Sequence, residues 1–309
     1  MPNHDRRRLA SLAAAPALAL IVVACASGGA ATGGPSTAPS APPSAAPTAV
    51  PSSPSVGAID HKTGATDVVL RYDEGGGFVN PAFLTSQVPP FTLYGDGTVI
   101  FRNQTLPPPE AEGSVSPSNP MRTAKLTEDQ TQDLLLFALG EGGLGVARAH
   151  YENAMVADAG TAVFTVHAGG VDKTVSVYAL GMDTQGGADA PARAAFQKLR
   201  DKLIDFDQGG SIETAVYEPK AFRGVLFDAA GIQASDVRIW PWKDLKVTDF
   251  ANDADPNGLQ FPHRTLDAAH VGALEVKDFQ GGFQGLPIAG TDGKLYTLSL
   301  RPLLPDDKE

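Results

Sequence analysis

Residues 26–57 contain nothing but Ala, Ser, Gly, Thr, Pro and Val. A stretch with no aromatic and no charged side chain has too little surface to bury, so it predicts a disordered, partly polyproline-like spacer instead of part of a fold. It divides the chain into a short leader, a spacer, and a body, residues 58–309, that must supply the whole core. Seven of the 25 prolines fall in the spacer, so the turn-rich look of the chain is largely local. With 42% hydrophobic and 19% charged residues, collagen, coiled coil and a wholly disordered chain are excluded. At about 3.1 Å per residue the extended spacer would reach on the order of 100 Å.

The leader carries Arg6, Arg7 and Arg8 against Asp5, and residues 9–24 are uncharged. A basic start followed by an apolar run is the build of an export signal. The run is shorter than the roughly 20 residues a spanning helix needs, and Pro16 interrupts it. It ends Val22-Val23-Ala24-Cys25. This ending resembles the lipobox of bacterial lipoproteins. The resemblance implies that the Cys25 thiol receives a diacylglycerol, that residues 1–24 are cut away as a signal peptide, and that acyl chains anchor the product on the extracytoplasmic face of the cell membrane. The chemistry suits the residue, because a thiolate is readily alkylated to a stable thioether. Two or three acyl chains make a stable anchor where one holds only marginally.

Cys25 is the only cysteine. An exported body without other cysteines has no disulfide and must be held by its core. Loss of residues 1–24 moves the formal charge from -11 to -13, which argues against nucleic acid as a partner and leaves membrane attachment to the lipid.

The body reads as α+β, with antiparallel β-hairpins and a few packed helices in one or two similar modules, 58–208 and 209–309. Asp67–Tyr72 predicts a strand, and 91–94 with 98–101 a hairpin across Gly95-Asp96-Gly97. Residues 75–90 are rich in Gly and Pro and read as a long loop. Thr127 and Gln130 form a capping-box pattern ahead of Leu134, Leu135 and Leu139, and Gly140 closes that helix. Strands 161–167 and 173–178 flank Gly169-Gly170. Phe196, Leu199, Leu203 and Phe206 mark a second helix over 190–206. Strands follow at 214–217, 223–227 and 237–240, then a helix from Thr265 to about Leu274 and a hairpin, 286–288 with 294–301. The segment 66–180, with its capped helix, Tyr151 and Asp158 before the second hairpin, resembles small domains of unknown function in bacterial secreted proteins. That resemblance implies no activity.

Residues that carry chemistry are few. Asp253, Asp255, Asn257 and Gly258 open like a calcium loop, but the twelfth position is Arg264 in place of a bidentate Glu, and Pro256 stiffens the segment. A surface turn is expected there, and no metal. His263 and His270 are seven residues apart, too far along one helix to share an ion, and His150 and His167 fit no ligand motif. No G-x-S-x-G elbow and no phosphate-cradling Gly-rich loop occurs, so no catalytic residue and no cofactor is expected. The acidic pairs Asp205/Asp207 and Asp306/Asp307 read as solvating charges. Trp240-Pro241-Trp242 offers two flat indole faces: a partly buried place in the core is the expected role of Trp240 and Trp242, with a stacking platform for a sugar or peptide, a cell-wall or envelope ligand, as the alternative. The resulting expectation is a lipid-anchored, non-catalytic binding or envelope-associated lipoprotein, with a hydrolase using carboxylates as the alternative.

Overall fold

The computed structural model describes residues 57–79, 81–182, 187–229, 236–250 and 261–308. Chain contacts divide the molecule after Ser53, and every described residue belongs to the unit Pro54–Glu309. Cys25, most of the spacer, and Asp253, Asp255, Asn257 and Gly258 lie outside the described residues.

In chain order the first part of the body is β1 (Val68–Gly76), α1 (Pro81–Ser86), β2 (Phe91–Tyr94), β3 (Thr98–Phe101), β4 (Ser116–Pro117), β5 (Arg122–Lys125), α2 (Glu128–Leu139), β6 (His150–Tyr151), β7 (Gly160–Ala168), β8 (Val171–Tyr178) and α3 (Ala190–Ile204). The second is β9 (Ala215–Val216), β10 (Phe222–Asp228), β11 (Arg238–Ile239), β12 (His263–Leu266), α4 (Ala268–Gly272), β13 (Phe283–Ala289) and β14 (Leu295–Pro302). The fold is α+β, built on two sheets. One has the order β6-β8-β7-β1-β2-β3-β5-β9, the other β11-β13-β14-β10-β12 with β4 added to β13. Nearly all pairings are antiparallel; β6 with β8 and β11 with β13 are parallel. Each sheet takes a strand from the other half of the chain, since β9 closes the first sheet and β4 joins the second.

Alternation sets the faces. In β7, Ala162, Phe164, Val166 and Ala168 are buried and the residues between them half-buried, so a period of two drives one face inward. On α2 the buried residues are Thr131, Leu134, Leu135 and Ala138, and on α3 Phe196, Leu199 and Leu203, spaced at helical period. These stripes meet Leu70, Tyr72, Phe91, Leu93, Val99 and Phe101 in one core, where each buried Leu or Phe contributes about 1.5–3 kcal/mol. A second core lies at the other sheet, with Phe222, Leu226, Leu266, Leu286 and Leu298 around Trp242. A smaller cluster of Tyr94, Ile100, Met121 and Leu304 fills the opposite side of the first sheet.

The capping box forms as expected: Thr127 accepts from the Gln130 N–H while the Gln130 side chain accepts from the Thr127 N–H. Three local readings differ. The Gly- and Pro-rich segment 75–90 contains α1, which begins at Pro81, where proline suits the first helical position. Residues Thr265 and Leu266 are the end of β12, paired with Arg223 and Phe222, and the helix starts only after Asp267, whose carboxylate caps it through the His270 N–H. Residue 206 lies beyond α3, which ends at Ile204.

The acidic pairs are not solvating charges. Asp207 is 1% exposed and accepts from the Asn103 side-chain amide. Asp306 accepts from Arg71 at 2.7 Å and from the Tyr94 hydroxyl at 2.7 Å, and Asp307 takes Arg301 in a two-nitrogen fork at 3.0 and 3.2 Å. Burial opposes ionisation of Asp306, but the bonds from Arg71 and Tyr94 outweigh it, so its carboxyl sits below the ordinary carboxylate range. The C-terminal segment is thereby pinned against β1 and β2, while the Tyr217 hydroxyl donates to the Leu303 carbonyl.

Candidate functional site

The site begins with a strand that leaves its sheet early. β9 pairs with β5 at only two positions, Arg122 with Val216 and Thr123 with Ala215. The Tyr217 N–H donates to the Met121 carbonyl on this outer side, while the Leu126 N–H donates to Gly97 on the inner side, toward β3. Since bonding direction alternates along a strand, the N–H and C=O of Lys125 point outward, and the register would set Glu213 opposite. Glu213 lies outside β9, so the ladder ends before that pair.

Named contacts hold the departing chain. Arg122 donates through Nε to the Thr214 hydroxyl and through Nη2 to the Thr214 carbonyl at 2.7 Å. Below it, buried Asp207 is bonded by Asn103 and lies 3.9 Å from Arg122, while the Ile212 N–H returns to the Asp207 carbonyl at 3.0 Å. Gln208, Gly209 and Gly210 take positive φ of 51°, 67° and 88°, a tight turn that the two glycines enter without a steric penalty. The Gly209 N–H is tied to Asp205 at 2.7 Å.

Between β5, α2, the end of α3 and residues 212–213 there remains a cleft of about 500 Å³. Its floor is Leu126, Leu134, Phe137 and Phe206, with Ile212 on the far wall, 39% exposed. Its rim carries both signs: Lys125 and Lys202 against Asp133 and Glu213. Lys125 donates to Asp96 at 2.6 Å and to the Thr98 hydroxyl at 3.1 Å. Burial opposes ionisation of Asp96, and the bonds from Lys125 and Thr98 overcome it and hold its carboxyl below the usual range. Lys202 stands over the Phe137 ring, 5.1 Å from the centroid, a cation–π contact that leaves its ammonium at the opening. An apolar floor with a few polar groups converging at the mouth is the build of a small-ligand site. Asp133 and Glu213 are both exposed.

A smaller hollow of about 240 Å³ lies at the far end of β1, lined by Glu74, Gln87, Gln104 and Phe83. Glu74 accepts from the Tyr72 hydroxyl and pairs with Arg200 at 3.5 Å. Burial, then the bond to Glu74, push the Tyr72 hydroxyl above its usual value.

The two tryptophans take the core role. Trp242 is 6% exposed, and its indole N–H donates to the His270 carbonyl at 2.8 Å. The half-buried Trp240 donates its N–H to the Leu245 carbonyl at 2.8 Å, and the two rings pack edge to face at 4.9 Å, with Phe250 against both. Their faces and polar edges are used within the second core. His270 sits between two carboxylates, Nδ1 to Asp267 at 2.8 Å and Nε2 to Asp244 at 3.1 Å. Burial lowers its basicity, but the two carboxylates outweigh that and raise it above its ordinary value. His263 is on β12 and His270 on α4, so the two share no helix face. Arg264, also on β12, donates to the Asp249 carbonyl at 3.2 Å. Among the described residues no three His, Cys, Asp or Glu side chains gather as a metal-binding group, and no helix is long and apolar enough to cross a membrane.

No protein-family model, curated protein or solved structure matches the chain. The cleft therefore has to be read from its own chemistry. Sequence reasoning missed it, because its walls come from residues 124–137 and 202–213 and none of these residues is unusual by itself.

Proposed function

We propose that the chain is a lipid-anchored extracytoplasmic binding protein, non-catalytic, with Cys25 as the lipidated residue, residues 26–57 as the spacer, and the cleft between β5, α2 and the end of α3 as the ligand site. The observation that carries the binding part is the cleft itself: a preformed opening of about 500 Å³ with an apolar floor and a rim of mixed charge. Such a site favours an amphiphilic ligand with an apolar body and a polar or charged end. Lipidation on Cys25 and the extracytoplasmic location rest on the export-signal pattern and the Val22-Val23-Ala24-Cys25 ending. The acidic body gives no electrostatic hold on an anionic bilayer, so acyl chains are the anchor this reading requires.

The binding part is tested by titrating the methyl-labelled full chain with 4-phenylbutyrate, an apolar body with one anionic end. Saturable shifts confined to the methyls of Leu126, Leu134 and Ile212, reduced severalfold in affinity by Phe137→Ala, are expected. Absence of any saturable shift at these methyls would overturn the assignment.

A further inference from the structure

We propose that this cleft takes a short extended peptide, which pairs with the outward backbone of Lys125 as an added strand and lays a neighbouring apolar side chain on the floor of Leu134, Phe137 and Phe206. The inference rests on the reading of the cleft as the ligand site and names the class of ligand. The first observation is the unfinished ladder. β9 stops after pairing Arg122 and Thr123, and the next outward-facing residue of β5 is Lys125. Its N–H and C=O stand beside the cleft as one donor and one acceptor at strand spacing, which an extended peptide matches and a hydrocarbon does not.

The second observation is the direction of the side chains. Ala124 lies opposite Val99 in the β3–β5 pairing, and Val99 belongs to the core beneath α2 and α3. Cross-strand partners share a face, so Ala124 also faces the helices, and in a strand added beyond β5 the residue flanking the one paired with Lys125 faces the same way. That residue meets the apolar floor, and the small methyl of Ala124 leaves it room. The third observation is charge. Among the described residues neither Lys202 nor Glu213 has an ion-pair partner, and both stand on the rim. A free short peptide carries one carboxylate and one ammonium, the complements of these two groups.

The test is calorimetric titration of the full chain with Ala-Ala-Leu-Ala, with the same peptide N-methylated at each peptide nitrogen, and with 4-phenylbutyrate. N-methylation keeps the apolar side chain and the charged ends but removes the donors an edge needs. On the protein side, Lys125→Pro removes the outward N–H and keeps the backbone bonds to β3, and Lys125→Ala, which loses the same side-chain bonds to Asp96 and Thr98 but keeps the N–H, is its reference. The account expects the unmodified peptide to bind about tenfold more tightly than the methylated one, and Lys125→Pro to bind it about tenfold more weakly than Lys125→Ala. Because the methylated peptide needs no altered protein, the test survives poor folding of the proline variant. Equal binding of both peptides, with 4-phenylbutyrate still bound, would overturn the peptide inference and leave the cleft as an apolar ligand site. Failure of all three ligands to bind would remove both readings. A dimer that excludes the peptide would show that a second copy fills the edge, and would also overturn the inference.

Discussion

Asp306 shows how much a single carboxylate does here. It joins the last residues of the chain to Arg71 on β1 and Tyr94 on β2, across 235 and 212 positions of sequence. Removing it leaves the buried Tyr94 phenol without its acceptor and the half-buried Arg71 guanidinium with its Nε bond to Thr92 but no carboxylate at Nη2. We expect Asp306→Ala to cost on the order of 2–3 kcal/mol at pH 7, read from the midpoint of chemical denaturation. Because the folded carboxyl titrates below its ordinary 3.8, the stabilisation it gives is present above that value and is lost as pH falls through the lower, folded value. The gap between wild type and variant should therefore narrow in acid, and an unchanged midpoint at pH 7 would contradict the role. Read as sequence, Asp306 and Asp307 looked like charges in solvent, because nothing local signals a partner two hundred residues away. The two tryptophans depend on distant partners in the same way. An indole's flat face is visible in sequence, but whether its N–H meets water or a carbonyl such as that of His270 depends on the fold.

Elements whose signals are local were legible. The hairpin of β2 and β3, that of β7 and β8, and the capped helix α2 each carry alternation, turn glycines or a capping box within a few residues. Thr127→Ala should destabilise the body by about 1 kcal/mol, because it leaves the Gln130 N–H without its side-chain acceptor; a loss below a few tenths would show that α2 is held by packing alone. Of the elements around the cleft, α2, α3 and a strand over β9 are expected from sequence, and β5 is not. β5 reads as Arg-Thr-Ala-Lys, with no apolar alternation, and β9 is two exposed residues; both are strands only because β3 and Arg122 hold them. β12 was hidden because its last residues, Thr265 and Leu266, run directly into the Asp267 cap and look like the start of the helix. The cleft is thus a product of where a strand stops, a property of pairing that composition does not encode.

As proposed, the whole molecule is a leader, a spacer and a folded body in chain order. Among the described residues the body carries two sheets and three hydrophobic clusters, and with Cys25 the only cysteine of the chain it holds no disulfide. In the proposed reading, Cys25 is the residue that ties the body to a bilayer. The most direct measurement is fractionation of cells producing the full chain and its Cys25→Ser variant. The account predicts that the unaltered protein sediments with membranes and is released by detergent, while the variant is soluble. Membrane retention of Cys25→Ser equal to that of the unaltered chain would contradict it.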